Sequence, residues 1–345
     1  MSLFTRIDLF NIHWVSWKIS MNEKLQILSV LFFIILWLIL PIFCLWVPFY
    51  ILFFTSIWWV IPLYGIWYIY DFNTPKLGSR ISFNFRNAAV WKYLAEYFPV
   101  KLIKTAELNP DKNYIIVCHP HGILSIGSFI SLCTNGTNFM TIFPGITSYL
   151  MTLKAQFCLP FRREIGIALG GIEASSSSLK YILTQCGKGN AVGIVLGGLN
   201  EVYDAHPKTN ILRIKNKRGF CRYALLYGAD IVPMYNFGEN DVYEQLPNEK
   251  DSFIRQLQMK ICNKFGFIPP IIRGRGIFNY SHGMLPLQKP INTVMGKPII
   301  VKQNDNPTEE DIEELYRTYI DCLNKLFDDH KCSYGLSKNT ILDIY

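Results

Sequence analysis

From Leu25 to Tyr70 the chain runs for 46 residues without one Asp, Glu, Lys or Arg, and it is packed with Phe, Ile, Leu and Trp. About 20 apolar residues cross the hydrocarbon core as a helix, so this run has the length for two passes or one hairpin. Pro41, Pro48 and Pro62 interrupt it. A turn near Pro48 divides it into segments of about 25–46 and 49–70, with Trp46, Trp58, Trp59 and Trp67 as interfacial anchors. Lys18 and Lys24 precede the run, and Lys76, Arg80 and Arg86 follow it. The positive-inside rule then puts both flanks in the cytosol. The run starts too late and is too long for a cleavable signal peptide, and it exceeds what a buried pair of core helices needs.

The division expected is therefore a cytosolic segment 1–24, a membrane hairpin 25–70, spanning or embedded in one leaflet, and a domain 71–345. Charged residues make up only 17% of the whole chain, against roughly 25% in soluble domains. Lys and Arg number 34 against 26 Asp and Glu, a net +8 that suits an anionic membrane face or a phosphate-bearing ligand. No basic stripe with interleaved stacking aromatics points to nucleic acid. The nine cysteines are scattered singly, without metal-ligand spacing, which argues for a reducing compartment and no structural zinc.

After Asp71 the pattern becomes that of an α/β domain. Tyr114–His119, Asn190–Leu196 and Asp230–Tyr235 read as buried strands, and each empties into a turn bearing polar groups. Helical spacing appears over Ile172–Cys186, Gly219–Tyr227, Phe253–Phe265 and about Thr308–His330, with Ser175–Ser178 as a solvent face. Strand, turn, helix, strand predicts a mixed, largely parallel sheet with flanking helices, whose ligands gather at the carboxyl ends of the strands. His119 and His121, Glu201, and Glu239 with Asp241 all fall at such ends.

His119-Pro-His121-Gly122 holds two of the six histidines. Histidine titrates near neutrality and moves protons, although one at a strand end is also an ordinary structural residue. Gly122 lets backbone N–H groups approach a ligand. A hydrolase would want a Gly-x-Ser-x-Gly elbow, and Gly122-Ile-Leu-Ser125-Ile-Gly127 carries one residue too many before the serine.

These residues occur in a larger ordered set: Tyr97-Phe-Pro99, His119-Pro-His-Gly122, Gly197-Gly-x-x-Glu201, Arg218-Gly-Phe220 through Pro233 to Phe237-Gly-Glu-Asn-Asp241, Gly274-Arg-Gly276, Val294-x-Gly-x-Pro-Ile299 and His330-Lys331. Over nearly its whole length the chain resembles the diacylglycerol acyltransferase type-2 family, which also holds monoacylglycerol and wax-alcohol acyltransferases. The resemblance implies a glycerolipid-acyltransferase-like fold. It also implies an endoplasmic-reticulum and lipid-droplet membrane enzyme that moves a long-chain acyl group from acyl-CoA to a neutral-lipid hydroxyl.

Such a transfer needs a base for the hydroxyl proton and fixed donors for the oxyanion. His121 is the expected base, His119 a supporting group that orients it or binds the thioester carbonyl, and the backbone around Gly122 the oxyanion donor. Broader glycerolipid acyltransferases carry a His-x-x-x-x-Asp motif, but the fifth position after His121 is Ile126 and after His119 is Leu124. The orienting carboxylate must then come from elsewhere, with Glu201 first and Glu239 second. Arg218, Lys217, Arg162 and Arg163 are expected at the phosphates of coenzyme A, a solvated surface being the alternative for the basic run. Neither metal nor cofactor is expected, acyl-CoA being a substrate. A scaffold with a dead site, and self-association through the Pro-broken hairpin, remain open alternatives.

Overall fold

The uncharged run folds as two helices of unequal length. In the computed structural model, residues 19–249, 251–265, 268–277, 279–280 and 282–345 are described, so that Arg6 and Lys18 lie outside the described residues. Helix α1 spans Met21–Phe54, about 51 Å at 1.5 Å per residue. Ser20 and Glu23 start it with a reciprocal capping box. Helix α2, Val60–Tyr70, has only 11 residues, short of a bilayer span.

The turn expected near Pro48 is displaced. The helix runs through Pro41 and Pro48, and the chain turns at residues 55–59. A π-helical turn at Ile35–Ile39 just precedes Pro41, and this register change absorbs the ring and the missing N–H of that proline. The helix ends where Thr55 becomes extended and its hydroxyl donates to Ile51 O, 2.8 Å away. Among the described residues α1 alone is long and apolar enough to cross a membrane.

The two halves of α1 differ in what they touch. Val30, Phe33, Ile34 and Leu36 are buried against the domain, with the Phe33 ring 5.4 Å and the Trp37 ring 5.5 Å from Phe129. Ile42, Phe43, Trp46, Phe49, Phe53 and Phe54 are exposed. An apolar surface of that extent needs a lipid or protein cover.

The domain is built on a seven-stranded sheet of β1 (Lys101–Lys104), β2 (Tyr114–His119), β3 (Thr147–Thr152), β4 (Gly171–Glu173), β5 (Asn190–Val195), β6 (Asp230–Phe237) and β7 (Asn292–Met295), in the order β1-β7-β6-β2-β5-β3-β4. Every pairing is parallel except β7 with β6, so the sheet is mixed and largely parallel as expected. The longer helices of the domain are α3 (Ala89–Tyr97), α4 (Ile126–Cys133), α5 (Arg162–Ala168), α6 (Ser176–Gln185), α7 (Gly219–Tyr227), α8 (Phe253–Phe265) and α9 (Glu309–His330). Ile172 belongs to strand β4, not to a helix. Helix α6 starts only after Ser175, whose hydroxyl caps Ser178 N, and Ser178 is buried where a solvent face was expected.

Strand β2 lies between β5 and β6, buried at every position, and its side chains alternate between two cores. Ile115 and Val117 join α7 and α9 on one face, while Ile116 and Cys118 join α3, α4 and the buried half of α1 on the other. His119-Pro-His-Gly122 thus leaves the carboxyl end of a central strand, the position at which such sheets hold ligands.

Candidate active site

Period-two alternation sends His119 to the α9 face. It is fully buried, its Nε2 lies 2.6 Å from the Tyr319 hydroxyl, and its Nδ1 has no partner. Burial, then the Lys217 ammonium, pull its imidazole down to about 3. No hydrogen bond joins His119 to His121 among the described residues. The hydrogen-bond partner of His119, Tyr319, belongs to helix α9.

His121 lies beyond the strand end, where the turn re-aims the chain. Its ring is half-buried, Nδ1 lies 3.0 Å from Gly122 O, and Nε2 has no hydrogen bond among the described residues. Burial, with a smaller push from the Lys217 ammonium, outweighs the opposing hydrogen bond to Gly122 O and holds its imidazole below the ordinary 6.5, so at neutral pH it is an uncharged proton acceptor.

Neither carboxylate touches an imidazole. Glu201 is buried, its Oε2 accepts from His121 N at 2.8 Å and its Oε1 from Arg213 N at 2.9 Å. A Cβ on Gly197 would collide with that carboxylate, which accounts for Gly197-Gly-x-x-Glu201 as one unit. Glu239 is also buried, and its two oxygens accept from Ile126 N at 2.7 Å and Gly127 N at 2.8 Å. Its carboxyl is pushed up to about 7 by burial. Glu239 thus caps helix α4 from the turn that follows β6, and Glu201 holds the His121 turn by its main chain. Gly122 sits at φ +58°, and a Cβ there would come within 2.7 Å of Glu239 Cγ.

Because Glu239 takes the first N–H groups of α4, Ser125 is left without a capping role. Ser125 occupies the position before α4 where a serine normally caps the helix, yet its hydroxyl makes no capping bond and is buried without a partner. The backbone there is left-handed, at φ +53°. Ser125 and His121 both line an apolar cavity of about 310 Å³, whose far wall is Leu36 and Trp37 of α1 with Phe157 and Arg162. The π-helical turn of α1 is therefore one side of the site.

The four cations expected together are dispersed. Lys217 Nζ donates to Leu196 O (2.8 Å) and Gly197 O (2.6 Å), closing the end of β5. Arg218 pairs with Glu313 at 2.7 Å beside α9, and Arg163 is buried on Asp71 and Glu164, each at 3.0 Å. Arg162 alone lines the cavity. Cys118, next to the site, is buried with its thiol pushed up to about 12, a packing residue and not a nucleophile.

The sequence profile of the family described as "Diacylglycerol acyltransferase" matches residues 50–345. The 2-acylglycerol O-acyltransferase 1 of Bos taurus is 41% identical over 325 residues, covering 94% of this chain and 97% of its own. The Diacylglycerol O-acyltransferase 2 of Homo sapiens is 40% identical over 338 residues, covering 98% and 87% respectively. Similarity sustained over almost the entire chain makes this protein a member of the diacylglycerol acyltransferase family, a membrane-associated acyltransferase.

Proposed function

We propose that the protein transfers a long-chain acyl group from acyl-CoA to the hydroxyl of diacylglycerol, forming triacylglycerol, at the endoplasmic-reticulum membrane, with the unequal helix pair embedded from the cytosolic face so that both termini stay cytosolic. The observation that carries this reading is His121 on the wall of an apolar cavity shared with the membrane helix, with no hydrogen bond on its Nε2 among the described residues. The acceptor oxygen attacks the thioester carbonyl carbon while its proton passes to His121 Nε2. The C–S bond then breaks, and the imidazolium returns the proton to the departing thiolate, leaving ester and CoA thiol. This step needs no metal or cofactor.

The N–H of Gly122 has no acceptor among the described residues, and the Ser125 hydroxyl has none either. These are the donors we assign to the oxyanion. Glu201 acts as a positioning residue, locking the main chain that presents His121. The relatives divide between two acceptors at nearly equal identity, so 2-monoacylglycerol is the second acceptor. The test offers labelled oleoyl-CoA in parallel to diacylglycerol, 2-monoacylglycerol, a long-chain alcohol and retinol. Triacylglycerol is expected as the fastest product, and no CoA release with any acceptor would overturn the reading.

A further inference from the structure

Arg162 is a buried cation that acyl transfer does not use. It is only 4% exposed, and no acidic side chain pairs with it among the described residues. Its Nη1 donates to Gln156 O at 3.2 Å, and its guanidinium lies 4.4 Å from the centre of the Trp37 ring. Nε has no partner, and Nη2 makes no hydrogen bond among the described residues. Burial pulls its pKa down to about 10, which leaves it charged at neutral pH.

Buried charges are ordinarily paired, because an uncompensated one costs several kcal/mol. The unused edge, Nε with Nη2, is the fork that grips a carboxylate with two parallel bonds. Around it the cavity is apolar, with Leu36, Phe157 and Ile165 among its walls. A site with one free guanidinium edge in an apolar chamber of about 310 Å³ complements an amphiphile with a single anionic head. It does not suit the several charges of a coenzyme A phosphate group, since Lys217, Arg163 and Arg218 are engaged elsewhere.

We propose that Arg162 makes this cavity a receptor for free long-chain fatty acid. The carboxylate sits on the guanidinium and the chain fills the space that acyl-CoA needs for its own acyl group, so fatty acid restrains the enzyme. The competition rests on the reading that the cavity holds the acyl chain during transfer, while the binding itself does not. The experiment measures equilibrium binding of labelled oleate to the full chain in lipid nanodiscs, with methyl oleate as the uncharged counterpart, alongside oleoyl-CoA turnover.

Oleate is expected to bind at least tenfold more tightly than methyl oleate and to compete with oleoyl-CoA. Arg162→Met, which keeps the packing on Trp37, should lose tenfold or more in oleate affinity at an unchanged melting temperature, and Arg162→Lys should lose less. Equal binding of the two ligands, or wild-type oleate affinity in a folded Arg162→Met, overturns the proposal. So does a tenfold rise in the KM for oleoyl-CoA with oleate binding unchanged, which would give Arg162 to the phosphates. Arg162-dependent oleate binding in a protein that esterifies nothing would keep the receptor and remove the transfer reading.

Discussion

The two histidines of one tetrapeptide end up on opposite sides of the sheet, in opposite conditions. On the α9 side His119 is sealed, bonded to Tyr319, and pulled down to about 3. On the membrane-helix side His121 lines a cavity, with no hydrogen bond on its Nε2 among the described residues. Identity and spacing are the same for both, so the chemistry is decided by what each ring faces. The strand's alternation delivers one imidazole into a core, and the turn held by Glu201 delivers the other to the ligand.

The contrast can be broken at several points. The largest effect is expected for His121→Ala, which should lower kcat by about 10² to 10⁴ while the melting temperature holds. Steady-state turnover of oleoyl-CoA checks this. Next comes Ser125→Gly, which relieves the left-handed backbone and removes the hydroxyl; about 10² is expected from kcat without loss of stability. A wild-type rate would show that the hydroxyl is not an oxyanion donor.

Glu201→Gln leaves one of two buried N–H groups facing an amide NH₂. Misplacing the His121 turn should cost roughly tenfold to a hundredfold in kcat with the KM for oleoyl-CoA little changed. On the sealed side, Tyr319→Phe leaves His119 unsatisfied, and thermal unfolding should register a loss of about 1–3 kcal/mol with kcat close to wild type. A collapse of kcat in a folded Tyr319→Phe would put His119 back into the chemistry. The smallest effect is that of Lys217→Met: removing the ammonium relieves the lesser of the two causes that depress His121, so the acid limb of the rate should move partway back toward 6.5.

The elements legible in the sequence were those with a long period. β2, β5 and β6 announced themselves as apolar runs into glycine turns, and α7 through α9 by helical spacing with caps such as Thr308 and Asp311. Short strands escaped because three residues, as in Gly171–Glu173, carry no period of their own. The helix break escaped because proline costs one N–H, which a π-helical turn absorbs, whereas Thr55 brings a hydroxyl that competes for the backbone.

At the site, the missing aspartate pointed to a carboxylate from elsewhere in the chain, but the contacts that Glu201 and Glu239 make were not legible. Glu201 reaches a backbone N–H and Glu239 caps a helix, contacts that depend on three-dimensional approach and leave only glycines as their trace. Nor could residue type show that Arg162 lies in the cavity while Arg163, one position on, is consumed by Asp71.

The role of His121 as base is tested most directly by the pH dependence of kcat/KM for labelled oleoyl transfer to diacylglycerol. With a half-buried, neutral His121 as base, the acid limb that is lost in His121→Ala should be centred below pH 6.5. An acid limb centred above 6.5, or the same limb persisting in the residual activity of His121→Ala, would contradict it.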